Sequence, residues 1–117
     1  MNELKVFENE KFGQVRSTVI DEDPWFVAAD VCKAVGIDDT GKATGRLDND
    51  ELTRIKIVSG GQNREVIAVS EAGLYSLVLG SRKPEAKEFK RWITHEVIPS
   101  IRNFYYCMDV NYVHGNY

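Results

Sequence analysis

Cysteine and histidine are both scarce in this chain of 117 residues, and their scarcity excludes several kinds of site. The two cysteines, Cys32 and Cys107, form neither a CxxC pair nor the dense framework of a small secreted protein, so no structural disulfide is expected. The two histidines, His95 and His114, lack the spacing of metal ligands. No metal site is therefore predicted, and Cys32 is expected to be a small buried side chain rather than a nucleophile.

Long apolar stretches are also missing. Hydrophobic residues make up 43% of the chain, which suits the core of one globular domain. No run approaches the roughly 20 apolar residues that cross a bilayer, and the first residues lack the order of a signal peptide. These features predict a cytoplasmic protein that does not bind membranes.

The motifs of common catalytic sites are missing as well. The glycines match neither a phosphate-binding loop nor a dinucleotide-binding fingerprint. Ser70 stands near Gly73 without the GxSxG elbow of a hydrolase. The acidic residues at 21–23 and 38–39 fall in predicted turns, where turn formation and capping account for them. We therefore predict no catalytic residues and no cofactor, and we do not expect an enzyme.

Positive charge is in slight deficit, but it is unevenly distributed. The chain has 15 lysines and arginines against 18 aspartates and glutamates, and its net charge of −3 has the wrong sign for a protein that binds polyanions over its whole surface. Residues 1–31 carry three basic and seven acidic side chains, whereas residues 82–102 carry six basic and three acidic ones. The charge is therefore polarised along the chain.

Alternating and β-branched residues predict two β-hairpins and a short strand. The first hairpin turns at the polar residues 8–11, and the second turns at Gly60 and Gly61. A further turn at 21–24 precedes the short strand. The predicted strands are 4–7, 15–20, 25–27, 52–58 and 64–69.

Helical periodicity predicts four helices, two short and two longer. The short helices span 28–35 and 40–47, and Thr40 is expected to cap the second of them. Ser70 is the predicted cap of the third helix, which ends near Gly80.

The fourth and longest helix begins at Pro84, where the missing N–H of proline costs no intrahelical bond. Pro99 is expected to kink or end this helix, which leaves 99–104 as a further turn. The sequence thus predicts an α+β fold in which two β-hairpins and a short strand pack with two short helices and two longer C-terminal helices. One domain is expected at 1–102, followed by a tail at 103–117 without a clear period.

The longest predicted helix separates basic and apolar residues onto different faces. With about 100° of rotation per residue, four basic side chains fall within an arc of about 100°, beside an apolar stripe. The basic ridge consists of Lys83, Lys87, Lys90 and Arg91, and the stripe consists of Ala86, Phe89, Ile93 and Val97. Such a ridge can contact phosphates along a duplex or an acidic protein surface, and an ordinary solvated helix face is the alternative.

The two short helices have the outline of a helix-turn-helix, whose second helix would present Lys42, Thr44 and Arg46. Gly41 and Gly45 weaken this prediction because glycine disfavours a rigid helix. The complete set of predicted nucleic-acid-binding residues is Lys42, Arg46, Lys83, Lys87, Lys90 and Arg91.

Aromatic side chains offer another route to nucleic acid, because bases stack on exposed rings beside a charged groove. Most of the rings, however, share predicted strand or helix faces with apolar residues. Burial is therefore expected for Trp25, Phe26, Tyr75, Phe89 and Trp92.

Four segments, read in order, carry a family resemblance. They are PWFVAADVC at 24–32, SEAGLY at 70–75, SRKPEAKEFKRW at 81–92 and EVIPSIR at 96–102. Together they resemble the Bro-N family of phage and prophage antirepressors and baculovirus repeated-ORF proteins, over about residues 5–102. Several long motifs in the correct order are far more specific than any one of them alone.

The resemblance implies an α+β domain linked to DNA binding, often followed by a separate effector domain that is not expected within these 117 residues. Antirepressors relieve repression by engaging a phage repressor, so a repressor protein is a second expected partner, in the cytoplasm of a bacterial host. Two hypotheses follow. The chain is a prophage antirepressor-like transcriptional regulator that binds DNA through the basic ridge, or it is an interaction module that binds a repressor or forms a homo-oligomer without touching DNA.

Overall fold

Backbone hydrogen bonds join five strands into one antiparallel sheet within residues 4–102, the part of the chain that the computed structural model describes. The strands are β1 (Lys5–Asn9), β2 (Gly13–Ile20), β3 (Asp23–Val27), β4 (Leu52–Ser59) and β5 (Gln62–Ser70). Their order across the sheet is β1-β2-β3-β5-β4. Both predicted hairpins are confirmed, and β3 connects them because it pairs with β2 on one side and β5 on the other.

The turn between β2 and β3 is tighter than the one predicted at 21–24. Ile20 pairs with Asp23, so that only Asp21 and Glu22 form the turn, with φ angles of 51° and 72°. Positive φ at both positions gives a two-residue turn the twist that matches its flanking strands. β3 therefore begins at Asp23, before the predicted start of the short strand.

Alternate residues of the sheet belong to two apolar clusters on opposite faces. Phe26 and Val69 are fully buried in the main core, together with the apolar residues of the helices. Val27, Ile57 and Ala68 belong to a smaller cluster built from strand residues on the other face. The helices therefore pack on one side of the sheet.

The predicted helices are present, and the first two are shorter than expected. They are α1 (Ala28–Ala34), α2 (Thr40–Thr44), α3 (Glu71–Gly80) and α4 (Glu85–Trp92), and a 3-10 turn at Asn49–Glu51 precedes β4. The predicted α+β class is confirmed. Within residues 4–102, no helix has both the length and the apolar character needed to cross a membrane.

The start of α3 shows why the SEAGLY segment has its serine and glycine. The hydroxyl oxygen of Ser70 accepts a hydrogen bond from the N–H of Gly73 at 3.1 Å, which confirms the predicted N-cap. A Cβ atom on Gly73 would lie 2.8 Å from the carbonyl oxygen of Glu51. Glycine is therefore required at position 73 because α3 lies directly against the backbone of the 3-10 turn.

Pro99 does not end the last helix, so the turn predicted at 99–104 is wrong for the residues that the structure describes. Residues 98–102 are helical. Ile98 and Ile101 of this segment are buried in the main core, and this packing holds the helix together beyond the proline.

A π-helical segment, Ile93–Val97, leads up to Pro99. In a regular α-helix the proline ring would collide with the carbonyl group four residues earlier. Here the N–H of Ile98 donates to the carbonyl of Ile93, five residues back, which widens the turn just before the proline. The predicted disturbance at Pro99 therefore takes the form of a π turn.

The predicted burial of single side chains is largely confirmed. Cys32 is fully buried as a free thiol, and this burial raises its pKa. Phe26, Phe89 and Trp92 are buried, whereas Trp25 and Tyr75 are only half-buried beside their clusters. The predicted tail at 103–117, with Cys107 and His114, lies outside the described residues.

Candidate nucleic-acid interface

An aromatic cluster fixes α4 against the turn between β1 and β2. The ring of Phe12, in that turn, meets Phe89 edge-on at a centroid distance of 5.3 Å and stacks on Trp92 at 6.1 Å. Ala86 and Ile93 are buried on the same side of the helix. Since one side of α4 is anchored by these contacts, the opposite side has a defined orientation.

That opposite side carries exposed cations. Lys87, Lys90 and Arg91 are all exposed, and on a helix they fall within an arc of about 100°. Within the described residues, no ion pair involves Lys87 or Arg91. Lys11 of the β1–β2 turn pairs with Glu88 on the flank of the helix. We call Lys87, Lys90 and Arg91 the α4 basic face.

Lys83 does not belong to this face, which corrects the sequence prediction. Lys83 lies in the loop before α4, as the predicted helix start at Pro84 already implied, and its packing rather than its position separates it from the face. Its aliphatic stem packs over Gly36 at the end of α1, where an added Cβ would lie 2.7 Å from the Lys83 Cγ. The loop is held there because the hydroxyl of Ser81 donates to the carbonyl of Val35 at 2.6 Å and accepts from the N–H of Lys83.

α2 is too short to act as a recognition helix. It spans five residues, fewer than two turns, and Arg46 lies beyond its end. Asp39, not Thr40, is its N-cap, because the Asp39 carboxylate accepts from the N–H of Lys42 at 2.9 Å. Thr44 is buried and its hydroxyl donates to the carbonyl of Thr40, so the prediction that Thr44 faces a ligand is wrong. The structure therefore departs from the predicted helix-turn-helix.

Lys42 and Arg46 are nevertheless exposed, and they border a groove between α2 and α3. The groove has a volume of about 240 Å³. Ser76 and Gly80 line it from α3, and Leu77 lies at its base in the core. Lys42 of α2 and Arg46, just beyond its end, thus lie beside one flank of α3.

Tyr75 connects the other flank of α3 to the α4 basic face. The ammonium group of Lys90 lies 5.5 Å from the centre of the Tyr75 ring, within the range of a cation–π contact. The Tyr75 hydroxyl donates to Glu71 at 3.0 Å, and Arg102 pairs with the same carboxylate at 3.3 Å. Burial, together with the nearby Glu71 carboxylate, raises the pKa of Tyr75 to about 12.

The predicted binding residues therefore form three groups around the helical side of the molecule. Lys87, Lys90 and Arg91 share α4, Lys42 and Arg46 border the α2–α3 groove, and Lys83 lies in the loop between α3 and α4. Sequence reasoning missed the position of α3 between the first two groups. The one feature of the α3 sequence that points to this arrangement is the four-residue spacing of Glu71 and Tyr75, which allows their side chains to contact each other on one helix face.

Comparison with known proteins shows which family the chain is related to. Residues 14–99 match the model of a protein family described as "BRO family, N-terminal domain". A Bro-N domain-containing protein of invertebrate iridescent virus 6, protein 289L, is 36% identical over 100 residues, an alignment that covers 69% of this chain and 24% of that protein. An uncharacterized protein of Haemophilus influenzae is 34% identical over 79 residues, which cover 67% of this chain and 39% of that protein.

A second Bro-N domain-containing protein of the same virus, protein 201R, is 27% identical over 112 residues, covering 78% of this chain and 27% of that protein. The chain thus spans between about a quarter and two-fifths of the length of these relatives. No solved structure matches it. The family is linked to prophage antirepressor-like DNA-binding regulators and is not a known family of enzymes. Since the match covers most of the chain, this protein belongs to the BRO family and carries its N-terminal domain, Bro-N.

Proposed function

We propose that this domain is the DNA-binding module of a prophage antirepressor-like transcriptional regulator acting in the bacterial cytoplasm. In this proposal the α4 basic face contacts phosphates of a duplex, and Lys42, Arg46 and Lys83 add contacts around it. The observation that carries the proposal is the exposure of three cations on one side of a helix whose other side is anchored by aromatic packing.

The distribution of charge favours a local contact of this kind. Ion pairing with phosphates releases counterions and supplies most of the sequence-independent affinity for DNA. The acidic residues concentrated in 1–31 and the net charge of −3 oppose a close approach of DNA elsewhere on the molecule. A duplex would therefore meet the domain in a limited range of orientations, with the basic helical side toward it.

The salt dependence of binding tests the proposal. For a mixed-sequence duplex, each phosphate contact should contribute about 0.9 to the slope of log affinity against log salt concentration. Replacing the α4 basic face by Lys87→Ala, Lys90→Ala and Arg91→Ala should therefore weaken binding and make the slope shallower by about 2.7. Fluorescence anisotropy at several salt concentrations measures both quantities.

A matched control removes three exposed cations elsewhere. Arg54, Lys56 and Arg64 lie on the β4–β5 hairpin, and β4 forms the sheet edge opposite to β1. The triple alanine variant at these positions changes the net charge equally and should leave the slope nearly unchanged. Equal effects of the two triple variants, or a wild-type domain that binds no duplex, would overturn the proposal and favour a repressor-binding or self-associating module.

A further inference from the structure

The outward face of α3 carries an exposed leucine that the core does not use. Leu79 is 84% exposed, whereas Leu74, Leu77 and Val78 of the same helix are buried. Ala72 and Ser76 are also exposed, and on a helix they lie on the same side as Leu79. The outward face of α3, defined by Ala72, Ser76, Leu79 and Gly80, is therefore free of contacts with the main core.

This face contains no charged side chain. Glu71 is the one carboxylate of α3, and it lies at the first position of the helix, where it pairs with Arg102 and accepts from Tyr75. The remaining residues of the helix are apolar, small or hydroxyl-bearing. Two carboxylates lie near this face, and both have partners: Glu71 pairs with Arg102, and Asp39, which also lines the α2–α3 groove, accepts from the N–H of Lys42 at the start of α2.

Cations border the face on both sides. On one flank, Lys90 lies over the ring of Tyr75. On the other flank, Lys42 and Arg46 face Ser76 and Gly80 across the α2–α3 groove. An uncharged helix face with cations on both flanks is complementary to a groove of duplex DNA, in which two phosphate backbones border the uncharged edges of the bases.

We infer that the outward face of α3 enters a groove of the DNA duplex, with Leu79 in apolar contact with the base edges and the bordering cations on the two backbones. The major groove is about 12 Å wide and admits an α-helix, and the methyl group of thymine gives an apolar side chain a contact there. This role of α3 rests on the proposed DNA binding by the α4 basic face. The phosphate contacts of α4 and the base contact of Leu79 must therefore be measured by different quantities.

Leu79→Ala provides such a readout. The probe is a duplex selected from a random-sequence pool by the wild-type domain. An apolar contact releases no phosphate counterions, so the variant should bind about tenfold more weakly at every salt concentration with an unchanged slope of log affinity against log salt. The triple variant of the α4 basic face should change the slope instead. If only the triple variant fails to change the slope, the proposed function is contradicted. If only Leu79→Ala fails to weaken binding, the role of α3 is contradicted.

Val58→Ala is the matched control, because Val58 is also a large exposed apolar residue, on the β4–β5 hairpin, and is 53% exposed. It should leave the affinity unchanged. Both variants should keep the wild-type circular dichroism and melting temperature, since neither residue is in the core. Leu79→Ala binding the duplex as tightly as wild type would overturn the inference. So would a change in solution mass without a change in affinity, which would assign Leu79 to an interface between copies of the chain.

Discussion

Tyr75 lies where α3 meets the α4 basic face, and its contacts explain how a half-buried tyrosine stays neutral beside an acid. The phenol donates to the Glu71 carboxylate, and Arg102, in the helical residues after Pro99, pairs with the same carboxylate. Lys90 lies over the ring. Tyr75 thus links three helical segments with one side chain, a role that its apolar neighbours in the sequence do not indicate.

The raised pKa of Tyr75 predicts a change of stability at high pH. The folded-state pKa of about 12 exceeds the ordinary value of 10.0, so the stabilising contribution of Tyr75 is complete below pH 10 and is lost as the pH rises through 12. The free energy of unfolding of the wild-type domain should therefore fall more steeply between these pH values than that of Tyr75→Phe. Denaturant titrations of both proteins across the range measure the difference, and parallel curves would contradict it.

Glu71→Gln separates the causes of this shift. Burial is its largest cause, and the Glu71 carboxylate adds to it. The variant should therefore lower the pKa of Tyr75 only in part, which ultraviolet titration of the tyrosinate can follow with Tyr75→Phe as the reference.

The helices and strands show how far local patterns determine this fold. The two hairpins, the Ser70 cap and the basic arc of α4 follow from residue spacing, because side-chain direction alternates in a strand and repeats about every 3.6 residues in a helix. Lys87, Lys90 and Arg91 could therefore be placed on one face from the sequence. Their relation to α3 could not, since it depends on how separate helices pack.

The errors of the sequence prediction likewise arise where tertiary contacts override local rules. Pro99 would end an isolated helix, but the buried Ile98 and Ile101 and the preceding π turn carry the helix past it. The side chain of Lys83 packs on Gly36 instead of joining the α4 basic face, because the hydrogen bond from Ser81 to the carbonyl of Val35 fixes its loop against α1. Thr44 faces inward because α2 packs against α1, and its hydroxyl donates a hydrogen bond to the carbonyl of Thr40 within the same helix.

The contact between α3 and the 3-10 turn predicts that Gly73→Ala is destabilising. The new methyl group would overlap the carbonyl oxygen of Glu51, and relieving this contact needs a shift of backbone rather than of a side chain. We expect the free energy of unfolding to fall by about 2 kcal/mol, the typical cost of overpacking. Urea denaturation measures this loss.

Gly80→Ala is the control for this variant, because its added Cβ would meet no atom within 4 Å apart from its chain neighbours and the backbone of its own helix. It should be neutral, or stabilising by up to about 1 kcal/mol through the higher helix propensity of alanine. Equal stability of the two variants would show that the close approach of α3 to Glu51 has no energetic consequence.

The chain as a whole combines an acidic total with a basic helical side. Its sheet supplies the anchor for α4 through Phe12, and the cations lie on the side of the helices, around α3. This separation lets a domain of net charge −3 bind a polyanion over part of its surface. It also predicts that binding protects only a subset of its lysines.

Lysine protection is the most direct test of the DNA-binding surface. The domain is acetylated with and without a saturating mixed-sequence duplex, and the rate at each lysine is read by mass spectrometry. Lys87 and Lys90 should react more slowly in the complex, while the exposed Lys56 on the β4–β5 hairpin should react at the same rate in both samples. Unchanged rates at Lys87 and Lys90, or equal protection of Lys56, would contradict a duplex bound along the α4 basic face.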